Sequence, residues 1–203
     1  MRIEDKVKKF IDKPDLDYYL SMLNSAGANK FPLEQKKEII SNVIAVCEQF
    51  KDELRRDFGE DKQPAFYAQM LGVDVVYIEE KDSFAHNYIG NYSLKKKQIS
   101  INMFVLNKII SYIRENSLEN LIDERKVAQT VIAHELFHAM QAIHPDTYVD
   151  TAMFPTKILG FIKVKTKLSV LEEIGAVHFS KILTDLPFNP LVFNKIYSFT
   201  GSK

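Results

Sequence analysis

The spacing of apolar residues changes period twice along this 203-residue chain, and those two changes limit its architecture more than any other feature. From Ile3 to about Phe58 the period is helical. Val7, Phe10 and Ile11 make one short stripe, and Leu16, Tyr19, Leu20 and Leu23 make another after Pro14 and Asp15. Ile39, Ile40, Val43, Val46, Cys47, Phe50 and Leu54 make a long third stripe that ends near Gly59. Strand patterning then takes over: Val73–Ile78 is rich in β-branched residues, Phe84–Tyr92 is aromatic, and Gln98–Phe104 alternates through Ile99, Ile101 and Met103. Helical spacing returns from about Phe104 to Ile113 and from about Leu118 to Ile143. After an irregular stretch containing Pro145 and Pro155 it returns again, from roughly Leu168 to Leu183. Strands bracketed by helices, rather than alternating with them, predict an α+β fold and not a doubly wound sheet. The expected division is an N-terminal helical segment over residues 1–60, packed on a second part over residues 61–203 that holds a small mixed sheet.

Composition removes several function classes. Lys plus Arg and Asp plus Glu both total 27, so no net field draws the chain to nucleic acid or to an anionic membrane. Lys95, Lys96 and Lys97 sit where a hairpin should turn and read as a solvated tip. No apolar run approaches the ~18 residues a membrane span needs, and charge interrupts every apolar residue near Met1, so a cytoplasmic protein is expected. The lone cysteine, Cys47, falls on an apolar stripe and reads as a small buried hydrophobe. There is no G-x-S-x-G elbow for a serine nucleophile and no glycine-rich phosphate loop.

What the chain does carry is His134-Glu135-Leu136-Phe137-His138, an HExxH pattern inside a predicted helix. Positions i and i+4 share a helix face, so both imidazoles can reach one ion, while Glu135, about 100° round, points beside it. A catalytic zinc takes three protein ligands, and two downstream candidates compete for the third place. One is Glu173, with Glu172 beside it, in the stretch LEEIGAVHFS. The other is His144, whose spacing resembles the HExxHxxGxxH of metzincin peptidases, with Met153 resembling their Met-turn residue. The metzincin pattern needs glycine for a sharp turn where this chain has Gln141. If the helix continues, His144 faces about 240° away from His138, in a last turn closed by Pro145.

Glu173, Ala176 and Phe179 form E-x-x-A-x-x-F, and together with HELFHA this resembles the gluzincin branch of the zincin metallopeptidases. The resemblance covers about Val73 to Leu183 and looks most like compact intracellular zincins of the repressor-cleaving, ImmA-like kind. It implies one zinc ion held by His134, His138 and Glu173. It also implies Ala176 as the small residue that lets the second helix lie close, and Gln98–Phe104 as an edge strand for extended substrate. The activity implied is that of a zinc-dependent metallopeptidase, with Glu135 activating a metal-bound water against a selective protein or peptide substrate. A zincin-fold binding or regulatory module without activity is the alternative. The chain departs from the pattern at Val177, where gluzincins often have an aspartate that orients a histidine, so another group must take that part. Tyr148 and His178 are the downstream residues available as proton donor or oxyanion stabiliser, with His178 about 140° off the Glu173 face. His86 has no partner spacing and reads as structural.

Overall fold

The computed structural model describes residues 2–80, 89–158 and 162–201. The N-terminal stripes become α1 (Ile3–Ile11), α2 (Asp15–Ser25) and α3 (Leu33–Phe58). The breaks between them are chemical. Pro14 and Pro32 stand immediately before the helices they introduce, where a missing N–H costs nothing, and Gly59 ends α3 at φ 92°, a conformation that strains any residue with a Cβ. A short α4 (Pro64–Met70), opened by its own proline, was not signalled by periodicity and leads into β1 (Asp74–Ile78).

β2 (Gly90–Ser93) and β3 (Gln98–Asn102) form a hairpin whose exposed turn contains Lys95, Lys96 and Lys97, as the charge run predicts. The aromatic strand expected over Phe84–Tyr92 is seen only from Gly90, and residues 81–88, including His86, lie outside the described residues. β3 runs parallel to β1 and antiparallel to β2, so the sheet is mixed and its order is β1-β3-β2. This corrects the expected edge: β3, with Ile99 and Ile101 buried, is the central strand, and β2 is the edge nearer the HExxH helix. The hydrophobic alternation of β3 marked burial, and a central strand is the more buried place for it.

Asn102 ends β3 and starts α5 (Met103–Glu115), its Oδ1 accepting from the Phe104 N–H at 3.1 Å. α6 (Arg125–Ile143) carries the HExxH motif and begins at Arg125 rather than Leu118. Leu118 and Ile122 are buried by a turn instead, with Ser117 at φ 52°, and Asp123 Oδ1 receives the Arg125 N–H at 3.0 Å. Periodic burial alone does not separate a turn that buries leucines from a helix that does. The stretch expected to be irregular holds α7 (Tyr148–Thr151) and a separate hairpin of β4 (Phe154–Ile158) with β5 (Ile162–Thr166). α8 (Val170–Leu183) and α9 (Leu191–Thr200) complete the chain.

α8 is the centre of the molecule. It packs against α3 on one side and α6 on the other, and Phe50, Phe137 and Phe179 from the three helices meet with ring centroids 5.5–6.5 Å apart. Each buried phenylalanine contributes roughly 1.5–3 kcal/mol of transfer free energy. The buried core runs without interruption from Val7 to Ile196, so the N-terminal helices share it with the sheet and α6. The fold is α+β with small sheets, and among the described residues no helix is long and apolar enough to cross a membrane.

Candidate metal centre

Three helical positions converge beside the middle of α6. His134 and His138, one turn apart, have ring centroids 5.4 Å apart, and Glu173 in the first turn of α8 places Oε2 3.6 Å from His134 Nε2. One ligand atom from each of the three lies within 4.8 Å of the others. A tetrahedral ion with bonds of about 2.0–2.2 Å separates its donors by roughly 3.3 Å, so a small inward rotation of the side chains completes the set. Glu173, with 57% of its side chain exposed, has the freedom to make it. Two imidazole nitrogens and one carboxylate oxygen are the donor chemistry of catalytic zinc.

The convergence depends on how closely α8 approaches α6, and the residue that permits it is Gly175. A Cβ there would stand 2.3 Å from Phe137 Cζ and 2.8 Å from Cε1. The role expected of Ala176 thus falls one residue earlier, although Ala176 is itself fully buried. The Cys47 thiol, on the other side, donates to the Gly175 carbonyl at 3.3 Å, and burial holds its pKa far above the usual range, so it is inert as a nucleophile.

Charge at the site is already biased toward a cation. Burial works against a proton on His134, but the Glu173 and Glu135 carboxylates outweigh it and raise the pKa. Conversely, the nearby His134 imidazole lowers that of Glu173. Positive charge between these two side chains is therefore favoured. Glu135 is only 7% exposed and its pKa is raised, chiefly by burial, against the pull of both histidines and of the Tyr92 backbone N–H. That N–H comes from β2. Ile89 accepts from Asn102 on β3 at 2.8 Å, so the alternation of the ladder turns Gly90 and Tyr92 away from β3 and toward α6. Gly90 allows the strand to come this close: its Cβ would meet Val131 Cγ1 at 2.5 Å and Glu135 Cγ and Oε1 at 3.0 Å.

The triad opens on a cleft of about 570 Å³. β2 forms one wall, and α9, through Leu191, Phe193 and Tyr197, forms another. α9 was not anticipated, although Pro190 followed by Val192, Phe193 and Ile196 carries a helical start and stripe.

The other candidates go elsewhere. His144 Nε2 lies 2.8 Å from Glu53 Oε1, and its ring stacks on Phe50, so it faces α3 and not the triad. Glu172 is not part of the triad. Tyr148 also faces α3, where Asn42 and Glu38 are its neighbours, and it does not line the cleft. His178 is half-buried against Tyr19 on α2, with 3.0 Å between Nδ1 and the hydroxyl. Among the described residues, the tyrosines on the cleft wall are Tyr92 and Tyr197.

Comparison with known proteins finds no matching family model and no matching solved structure. The chain is similar to an uncharacterised protein of Methanocaldococcus jannaschii, 24% identical over 101 residues, which are 50% of this chain and 73% of that one.

Proposed function

We propose that this chain is a zinc-dependent metallopeptidase with a zincin-like, gluzincin-type site. The observation that carries the reading is the meeting of His134, His138 and Glu173 at one point, with the buried Glu135 beside it and an open cleft in front. Zinc held by these three residues would supply a Lewis acid that polarises a carbonyl and acidifies water. Glu135, buried beside the three ligands, would take a proton from the attacking water and return it to the departing amine. Gly90 on β2 packs directly against the Glu135 side chain and limits where its carboxylate can go. Gly90, on an edge strand bordering the cleft, offers backbone to an extended peptide, which favours a protein or peptide substrate.

The test is metal content paired with cleavage. Purified protein should carry about one zinc per chain. Glu135→Gln should keep that zinc while abolishing a protein fragment seen only in cells expressing the wild type, because an amide does not accept the proton. Protein that takes up no zinc on titration overturns the reading. Zinc uptake with identical fragments from wild type and variant would leave a zincin-fold binding module in its place.

A further inference from the structure

Gln141 connects His138 to a part of the chain outside the HExxH motif. Its Oε1 lies 2.9 Å from His138 Nδ1, and its Nε2 donates to Asp150 Oδ1 at 3.2 Å. Asp150 Oδ2 in turn accepts from Thr147 Oγ1 at 2.6 Å. Thr147 stands at the N-cap of the short α7, and that helix brings Asp150 to the end of α6. Gln141 as a residue is buried, 8% exposed, so little water competes for its side chain.

The hydrogens of this chain have one consistent arrangement. A carboxylate only accepts, so the end of Gln141 facing Asp150 is its NH₂ group. The end facing His138 is then the carbonyl oxygen, which also only accepts, so His138 Nδ1 carries the hydrogen. A neutral imidazole with Nδ1–H has a bare Nε2, and His138 lines the cleft beside His134 and Glu173.

We infer that Gln141 and Asp150 are positioning residues that hold His138 as its Nδ1–H tautomer and so ready its Nε2 for a metal. The inference rests on the reading of His134, His138 and Glu173 as ligands. It assigns the orienting part that Val177 cannot play, since an apolar side chain accepts no hydrogen bond. It also gives Gln141 a use at the position where a metzincin would turn on glycine. A packing role alone would be kept by methionine, which matches glutamine in length and suits a buried place but offers only a weak acceptor.

The experiment compares wild type, Gln141→Met, Asp150→Asn and the double variant Gln141→Glu/Asp150→Asn. The readouts are ¹⁵N NMR of the histidine rings without metal and zinc affinity by chelator competition. His138 should be Nδ1–H in the wild type and a tautomer mixture in Gln141→Met, with zinc bound about 10–100-fold more weakly. Asp150→Asn leaves the core of α6 untouched and frees Gln141 to turn over, so it should show the same mixture with a smaller affinity loss. The double variant returns an obligate acceptor to His138, held by an amide donor from position 150, and should recover tautomer and affinity. Wild-type zinc binding with an unchanged tautomer and affinity in Gln141→Met and Asp150→Asn overturns the inference and leaves the three ligands standing. No zinc binding by the wild type overturns the ligand reading and this inference with it.

Discussion

His134 Nε2 lies 3.6 Å from Glu173 Oε2, across the interface of α6 and α8, whereas His144 at the end of α6 is bonded to Glu53 on α3 at 2.8 Å. The first pair faces the cleft and the second faces away from it. Glu173→Ala should therefore weaken zinc binding by more than the about 10–100-fold typical of a lost outer hydrogen bond. His144→Ala should leave zinc affinity unchanged and cost about 1–3 kcal/mol of stability through the lost contacts with Glu53 and Phe50. Chelator competition and urea unfolding on the same two variants separate the effects, and the opposite assignment would restore the metzincin-like arrangement.

Gly175 offers a test of how the site is assembled. Gly→Ala in an open helix usually stabilises by roughly 0.5–1 kcal/mol. Here the new methyl group would enter the ring of Phe137, a fully buried side chain with little room to move. Overpacking should win and destabilise the protein by about 1–3 kcal/mol. Phe137→Leu in the Gly175→Ala background should recover part of that loss, which a thermal unfolding series on the two singles and the double would reveal.

Gly90→Ala should act on activity more than on stability. Its Cβ would press on Glu135 Cγ and Oε1 as well as on Val131, so β2 must shift and carry the Tyr92 N–H away from the Glu135 carboxylate. If Glu135 is the proposed general base, its misplacement by an ångström should cost on the order of 100-fold in rate. Zinc content should stay near one per chain, and wild-type cleavage by this variant would mean that β2 does not hold Glu135.

His178 sets a pH dependence of folding. Burial lowers its pKa, as do Lys181 and Lys51, while Asp15 and Glu48 oppose them, and its Nε2 is buried without a hydrogen-bond partner. The folded state thus keeps it neutral, whereas the unfolded chain takes up a proton near pH 6.5. A depressed folded pKa means the contribution is complete above the unfolded value and shrinks as pH falls below it. Wild-type protein without metal should lose more stability between pH 7.5 and pH 5 than His178→Gln, measured by urea midpoints. Parallel losses would show that the ring is already solvated.

Much of this was legible locally. The three N-terminal helices follow from apolar period and from Pro14, Pro32 and Gly59, and the i, i+4 pairing of His134 and His138 follows once their stretch is helical. Those are properties of neighbours in the chain. The helical angle disfavoured His144 as third ligand but left it open beside Glu173 and Glu172, and the structure turns that residue toward α3.

What the tertiary structure alone decided lies between elements far apart in sequence. Strand alternation showed that β3 is buried but not that β2 is the edge beside α6, because edge or centre depends on which strands pair. Ala176 was the small residue the motif pointed to, yet the close approach of α8 to α6 falls at Gly175, because the crossing of two helices selects the contact point. Gln141 looked only like a missing glycine until α7 brought Asp150 to it. Spacing along one helix fixes which side chains share a face. The place where a second helix crosses it, and which polar group arrives there, is set by packing of the whole core.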